Sequence, residues 1–330
     1  MPTTTSITTT YAGESAGKYI ASALLSSNTI EQGGISVMPN IKYKEVIKRL
    51  SLDGIVKDAS CDFTDTSTLT LDEKILTPEE FQVNLELCKS DFASDWEAAQ
   101  MGFSAFDQLP PSFSEFFIAR VLAKIALKNE QNIWQGTNAT AGEYDGLTTL
   151  IAADADLPSG QEIAGTTVTS ANVITELGSV VDALPSALYG REDLHIYIPQ
   201  NVFKAYVRAL GGFAVQNISN ATPEVVGGAS VGANGLGGQG TTWYGGGNLT
   251  FDGVKLFVAN GMPSNKMMAT TKDNLYFGTG LLNDLNEVRV LDMADLDGSK
   301  NVRFISRFTA GVQYGHAEDI VTYGIANSAN

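Results

Sequence analysis

The sequence predicts an α+β protein built around one long helix. Three observations support this class: a capped apolar stretch at helical spacing over residues 112–135, alternating strand patterns before it, and interleaved helix and strand patterns after it. The chain then ends in a β-hairpin pattern around Asp297 and Gly298. Strands and helices that are grouped in this order favour layered α+β packing.

The first 90 residues predict two extended features. Residues 1–40 contain Gly33, Gly34 and Pro39 and are typical of an arm that lies on another surface, although a frayed terminus explains them almost as well. Residues 41–90 predict a long protruding β-hairpin, because two stretches alternate as strands and the middle is polar and Thr-rich. An isolated hairpin is marginally stable, so this one implies a partner.

The long helix carries clear start and stop signals. Pro110 and Pro111 limit where it begins, and Ser112 with Glu115 forms the pattern of an N-terminal capping box. Gly136 stands where a left-handed residue often ends a helix. These signals predict a helix over residues 112–135.

The same stretch predicts which side of the helix is buried. One row of side chains at helical spacing is mainly apolar, and the charged residues lie mostly around the other side. The row is Phe113, Phe117, Val121, Ile125 and Lys128, and the charged set is Glu115, Arg120, Lys124, Lys128 and Glu130. A core helix of an ordinary enzyme explains this stretch alone equally well.

The other predicted elements follow a simple order. Short helices are expected at residues 91–100, 170–188 and 201–210, and strands at 194–199, 254–260, 287–293, 302–315 and 320–323. Residues 211–247 are very rich in glycine, which predicts a surface loop.

Composition excludes several classes of function. The chain has 330 residues and a net charge of −16, whereas a protein that grips nucleic-acid phosphates needs a basic face. The one basic concentration, Lys42, Lys44, Lys48 and Arg49, is too small to provide it. No apolar run approaches the ~18 residues that cross a bilayer, and no signal peptide is recognisable.

No residue pattern predicts catalysis or a cofactor. Gly235, Gly237 and Gly240 match a dinucleotide-binding glycine pattern, but no strand precedes them and no helix follows. His195 lies inside a strand pattern, which favours a hydrogen-bonded structural histidine. Cys61 and Cys88 fit neither a zinc spacing nor a disulfide framework, which favours reduced thiols in cytoplasm.

The acidic groups do not predict a metal site either. His316 is followed by Glu318 and Asp319, too few ligands for a metal. A further group, Asp292, Asp295 and Asp297, departs from the spacing of a calcium loop. We therefore assign no catalytic, cofactor-binding or metal-binding residue from the sequence.

The order of elements resembles the major capsid proteins of tailed bacteriophages, which have the Hong Kong 97-type fold. The resemblance is carried by the hairpin at 41–90 followed by the long helix, and then by the elements at 194–210, 254–263, 274–282 and 287–311. It covers nearly the whole chain through the order of elements, without one diagnostic motif.

The resemblance implies a division into domains. Residues 1–40 would be an N-terminal arm and 41–90 an extended loop lying across a neighbouring subunit. Residues 91–146 and 285–330 would form a peripheral domain with spine helix 112–135, and 147–284 an axial α/β domain. Lys57 and Lys74 lie in the hairpin, but no local motif marks either as a crosslinking lysine.

The implied function is structural. Subunits would self-assemble into hexamers and pentamers of an icosahedral head that encloses double-stranded DNA without sequence-specific binding. Assembly would take place in the host cytoplasm with a portal and a separate scaffolding protein, and a decoration protein is a further candidate partner. Two alternatives stay open: an encapsulin-type compartment, and an NAD-dependent enzyme that uses the glycine loop.

Overall fold

The computed structural model describes residues 28–52, 56–59, 61, 69–88, 111–210, 250–280, 289–294 and 297–327. Within these ranges the helices are α1 (Pro111–Gln135), α2 (Leu147–Ala152), α3 (Val173–Asp182) and α4 (Gln200–Leu210). The strands there are β1 (Ser36–Met38), β2 (Glu45–Leu52), β3 (Leu69–Leu76), β4 (Glu79–Cys88), β5 (Glu162–Ile163), β6 (Leu194–Ile198), β7 (Thr250–Phe251), β8 (Val254–Val258), β9 (Met267–Thr271), β10 (Leu275–Gly278), β11 (Arg289–Asp292), β12 (Asn301–Tyr314) and β13 (Val321–Tyr323).

The longest strand, β12, organises the first sheet. β4 pairs antiparallel with it along ten residues, from Asn301 opposite Cys88 to Ala310 opposite Glu79. On its other side β12 pairs with β11 and then with β10, and β1 runs parallel to β10. The predicted turn between β11 and β12 is confirmed, and Gly298 there has a φ of 73°.

The second sheet has six strands in the order β5-β13-β9-β6-β8-β7. Helices α3 and α4 pack against it through apolar side chains and form one core. The members of that core include Val173, Leu177, Ile196, Val202 and Met267. β2 and β3 form a separate two-stranded hairpin with eight residue pairs.

Helix α1 begins one residue before the predicted start and ends at residue 135 as predicted, but its capping residues behave differently from the prediction. Pro111 is its first residue, so Ser112 lies inside the first turn and is not the N-cap; proline is favoured at that first position because its missing N–H needs no partner there. Gly136 does not adopt the left-handed conformation. It is required there because a Cβ would collide with the carbonyl oxygens of Tyr144 and Asn132.

The predicted burial of α1 is confirmed at Val121 and Ile125, which are both buried. The prediction is wrong for Glu130, which is fully buried. Its carboxylate accepts hydrogen bonds from the Thr29 backbone N–H at 3.1 Å and the Thr29 hydroxyl at 2.6 Å. A third comes from the Gly261 N–H at 3.3 Å. These donors offset the cost of burying a carboxylate.

Trp134 links this network to a second hydrophobic core, which lies apart from the core of α3 and α4 and includes Trp134, Tyr197 and Phe277. Trp134 is fully buried and donates from Nε1 to the Thr29 hydroxyl at 2.9 Å. Its ring lies 5.2 Å from that of Tyr197, whose hydroxyl donates to the Gly34 carbonyl at 2.6 Å. Residues near the start of the described chain are therefore fixed to α1 and to β6.

Three strands lie elsewhere than the predicted division suggests. β4 pairs with β12 and not with the preceding strand, so the hairpin consists of β2 and β3 alone. β13, near the end of the chain, belongs to the six-stranded sheet, whereas β10 belongs to the sheet of β12. Contacts between residues far apart in sequence decide these pairings, and local alternation does not encode them.

Other helices are close to their expected positions. α3 is shorter than the predicted 170–188, and α4 begins one residue before the predicted 201–210. The expected helix at 91–100, the glycine loop at 211–247 and most of the N-terminal arm lie outside the described residues. The side chains of Phe113 and Phe117 lie outside them too. Within the described ranges, no helix is both long and apolar enough to span a membrane.

Candidate assembly surfaces

The β2–β3 hairpin has an apolar face that points to solvent. Directly opposed residues of an antiparallel pair share one face, and Val46 opposes Ile75 while Leu50 opposes Leu71. Their side chains are 39%, 43%, 54% and 73% exposed, in the order Val46, Ile75, Leu50 and Leu71. We call these four residues the outer ladder.

The outer ladder is not explained by the fold of one chain. Single exposed apolar residues are common, but two exposed apolar pairs on one face of a strand pair indicate an interaction surface. Between the two apolar pairs lies only the pair of Lys48 and Glu73. Covering this face with another surface would recover about 25 cal/mol for each Å² of apolar area removed from water.

The base of the hairpin is fixed to the body of the protein. Leu76, the last residue of β3, is fully buried beside Ile41. A Cβ at Gly278 would overlap the methyl groups of both side chains, so the glycine permits this close approach. Gln313 adds a hydrogen bond of 3.1 Å from Nε2 to the carbonyl of Ile75. The hairpin is thus anchored at one end and presents its outer ladder beyond the anchor.

A second apolar surface lies between the β4–β12 sheet and α1. This apolar groove has a volume of about 520 Å³ and is lined by Phe81, Val83, Leu85, Val121, Ile125 and Phe308. The rings of Phe81 and Phe308 lie 5.7 Å apart.

Basic side chains follow the α1 rim of the apolar groove: Arg120, Lys124 and Lys128. Lys128 forms an ion pair with Glu143 at 2.5 Å, and its hydrogen bond lowers the pKa of Glu143. A local row of cations contrasts with the net charge of −16 of the whole chain.

His195 has the structural role that its strand position predicted. Its Nδ1 donates to the Asp193 carbonyl at 2.8 Å, and its ring lies 6.1 Å from Tyr197 and 6.3 Å from Phe257. Burial lowers the pKa of His195, which favours the neutral ring.

Two of the residues that were considered as metal ligands accept hydrogen bonds from the backbone of their own turns. Asp292 accepts the Ala294 N–H at 3.1 Å and Asp297 accepts the Ser299 N–H at 2.9 Å. Asp295 lies outside the described residues. His316 is exposed, and its backbone N–H donates to Asn274 Oδ1 at 2.8 Å. In the part of the chain that the structure describes, no three acidic, histidine or cysteine residues are grouped to hold a metal.

The glycine pattern, the two cysteines and the two hairpin lysines are the remaining residues that the sequence analysis considered. Gly235, Gly237 and Gly240 lie outside the described residues. Cys61 is exposed, Cys88 is half-buried, and neither is in a disulfide. Lys57 is exposed, whereas Lys74 is largely buried in an ion pair with Asp154.

The four basic residues that sequence analysis grouped do not form one patch. Lys42, Lys44 and Lys48 are exposed, but Arg49 points to Asp72 and Asp156. Sequence analysis did not predict the outer ladder, because residues 41–50 fit a helix or a strand equally well. The alternation of Val46, Lys48 and Leu50 is the signal that a strand assignment would have used. The pairing partner in β3 settles the choice.

The fold is that of a phage-type capsid subunit, which confirms the α+β capsid fold that the order of elements resembles. The structure of the native GTA particle capsid matches over 94% of both chains, with a TM-score of 0.60 and 13% identity.

Two further solved structures support the same fold. The cyanophage A-1(L) capsid matches over 96% of both chains, with a TM-score of 0.58 and 14% identity. A structure from Mycobacterium phage Adephagia matches over 92% of this chain and 91% of its own, with a TM-score of 0.57 and 14% identity. Neither the protein-family models nor the curated proteins compared with the sequence give a match. At these identities the similarity establishes the fold alone.

Proposed function

We propose that this protein is the major capsid protein of a tailed phage or a related particle, and that its role is structural and not enzymatic. The observation that carries the proposal is the match to capsid structures over almost the whole chain. The exposed outer ladder supports it, because such a surface on a projecting hairpin is suited to contact between subunits.

In this proposal the hairpin lies across a neighbouring subunit. Its outer ladder packs against an apolar surface of that subunit, and the apolar groove beside α1 is available in every copy. A contact between two different surfaces of identical chains is head-to-tail, and it closes into rings when the rotation fits. Hexamers and pentamers of an icosahedral shell are such rings.

We propose the following domain roles. α1 is the spine of a peripheral domain that includes the β4–β11–β12 part of the first sheet. The six-stranded sheet with α3 and α4 is the core of the axial domain at the centre of each ring. The two domains are joined because β13 lies in the six-stranded sheet and β10 lies in the sheet of β12. Residues 1–40 act as an arm whose later part, residues 28–38, is fixed to α1, β6 and β10 of its own subunit and whose earlier part reaches a neighbour.

The charge of the protein suits a container for DNA. A net charge of −16 disfavours adhesion to packaged phosphates, so the shell encloses double-stranded DNA without binding its sequence. We further propose that assembly takes place in the host cytoplasm with portal, scaffolding and decoration proteins, and that the subunit is then part of the virion.

Electron microscopy of the purified full-length protein, with sedimentation on the same sample, tests the proposal. We expect closed shells or ring-shaped capsomers, and a thermal transition that NAD does not shift. A protein that stays monomeric at high concentration and after co-expression with its scaffold would contradict the shell role. Stabilisation by NAD would instead support the enzyme alternative.

A further inference from the structure

The inner face of the hairpin is held to the body by charged side chains. Lys74 on β3 forms an ion pair with Asp154 in the loop after α2 and lies 3.9 Å from Asp156. Arg49 on β2 pairs with Asp72 across the hairpin and with Asp156 at 3.1 Å. We call these five residues the hairpin latch.

Tyr314, at the end of β12, joins the hairpin latch to the first sheet. Its hydroxyl donates to the Asp154 carboxylate, and Lys74 Nζ lies 4.5 Å from the centre of its ring. An ammonium over an aromatic face is an attractive arrangement. The hairpin, the loop after α2 and the end of β12 therefore meet at one carboxylate.

The Lys74–Asp154 pair of the hairpin latch is shielded from water more than an ordinary surface ion pair, whereas Asp72 and Asp156 are 53% and 51% exposed. The side chains of Arg49, Lys74 and Asp154 are 14%, 14% and 13% exposed. Exposed pairs contribute little, but charges that are partly removed from water are screened less and cost more when one partner is lost. Asn327 also fixes the Asp154 backbone by a 2.8 Å hydrogen bond to its carbonyl.

Apolar packing on the inner face is sparse by comparison. Ile47 lies against Gly315, and Leu76 is buried only at the base. Towards the tip, a polar cavity of about 320 Å³ separates the hairpin from residues 316–318. Its lining includes Thr70, Asp72, Asp156, His316 and Glu318. The direction of the hairpin thus depends on the latch more than on a packed core.

We propose that the hairpin latch sets the angle at which the hairpin leaves the body, and that neutralising it releases the hairpin while the rest of the subunit stays folded. This device is independent of the proposed shell function, because it concerns contacts within one chain. It makes the orientation of an interaction surface depend on one ion-pair cluster.

The electrostatic environment indicates when the hairpin latch opens. Burial would raise the pKa of Asp154, but hydrogen bonds from Lys74 and Tyr314 outweigh it and the net shift is downward. Burial and the Asp154 carboxylate raise the pKa of Tyr314, so its hydroxyl stays protonated as a donor. Around Asp154, the cations Arg49 and Lys74 face the carboxylates of Asp72 and Asp156. Glu318 and His316 line the neighbouring polar cavity.

The lowered pKa of Asp154 keeps its carboxylate charged, and the hairpin latch closed, at neutral pH. Because the pKa of Asp154 is depressed on folding, its contribution is complete above the usual aspartate pKa of about 3.9 and is lost as the pH falls below it. Raised ionic strength weakens the pairs that Arg49 forms with the half-exposed Asp72 and Asp156, since the Debye length falls from about 10 Å at 0.1 M to about 3 Å at 1 M salt. The shielded Lys74–Asp154 pair is screened less.

Amide hydrogen exchange on the purified full-length protein tests the device. All variants are compared in one oligomeric state, which sedimentation verifies. We expect Lys74→Met and Asp154→Asn to speed exchange of residues 45–52 and 69–76 about tenfold, which is about 1.4 kcal/mol of lost protection, and to leave β6 and β9 unchanged. The control Lys128→Met breaks the Glu143 pair elsewhere and should leave the hairpin unchanged.

Two further measurements separate charge from simple misfolding. The swap of Lys74→Asp with Asp154→Lys should slow hairpin exchange relative to either single change, because it restores opposite charges. In the unmodified protein, salt raised from about 0.1 to 1 M should speed exchange in the hairpin alone. Hairpin exchange that responds to neither the variants nor salt would overturn the proposal, as would equal acceleration in β6 and β9.

Discussion

The six-stranded sheet and the β2–β3 hairpin are stabilised in opposite ways. In the sheet, Ile196, Tyr197 and Ile198 are fully buried, and α3 and α4 cover one face with further apolar side chains. In the hairpin, the outer ladder faces outward, whereas the charged side chains of Arg49 and Lys74 face the body. The core of the sheet is buried within one chain, whereas the apolar face of the hairpin is exposed.

This difference means that folding and assembly should be separable by mutation. Changes in the cores should lower the free energy of unfolding, since burial there is internal. Changes in the outer ladder should leave unfolding unaffected and act on contacts between chains. The predictions below test this separation, beginning with the largest expected effect.

Replacing Trp134 should give the largest loss of stability. Trp134→Ala removes a fully buried ring and its hydrogen bond to Thr29, which should cost about 3–5 kcal/mol through lost burial and a residual cavity. Chemical denaturation followed by fluorescence or circular dichroism measures the change. The control is Tyr189→Ala, an exposed aromatic residue, which should change stability by less than about 1 kcal/mol. Equal effects of the two variants would contradict the assignment of this core.

A neighbouring pair on α1 distinguishes its buried side from its exposed side. Ile125→Ala should cost about 2–4 kcal/mol because Ile125 is buried, although one side of it lines the apolar groove. Lys124→Ala, one residue away and exposed, should cost less than about 1 kcal/mol. Denaturation of both variants measures the contrast. A larger loss for Lys124→Ala would mean that the buried side of the spine helix is misplaced.

The smallest expected effect is the pH dependence associated with His195. Burial lowers its pKa, so the unfolded chain binds a proton more readily than the folded one. Its contribution to stability is therefore complete above the usual histidine pKa of about 6.5 and decreases as the pH falls towards the depressed folded value. His195→Gln should weaken the loss of stability between about pH 7.5 and 5.5. Denaturation midpoints at both pH values measure this, and an unchanged pH slope would contradict it.

Local signals predicted much of the architecture. Helical spacing and the proline pair placed α1 to within one residue of its start, and Asp297 with Gly298 marked the turn before β12. His195 was expected to be structural because it alternates with apolar residues in a strand. These features depend on contacts within a few residues, so the sequence pattern carries them.

Features that depend on distant residues were not predicted. Glu130 was expected among the exposed charges of the helix, but Thr29 and Gly261 supply donors that make its burial possible. Gly136 is required by the approach of the Tyr144 carbonyl and not by a left-handed turn. Likewise, Lys74 finds Asp154 eighty positions away, and no local motif indicates that pair.

The account rests most directly on the outer ladder, so the decisive variant replaces its tip pair. Leu50→Ser combined with Leu71→Ser removes apolar surface that is already exposed, so the free energy of unfolding should change by less than about 1 kcal/mol. The matched control replaces the polar pair of the same face, Lys48→Ser with Glu73→Ser, and should leave assembly intact.

The measurement is the fraction of protein in particles, determined by sedimentation and electron microscopy, together with denaturation of each variant. The account predicts that the leucine variant remains folded but forms few or no particles, while the control assembles as the unmodified protein does. Normal particles from the leucine variant would contradict the role of the hairpin as an assembly surface.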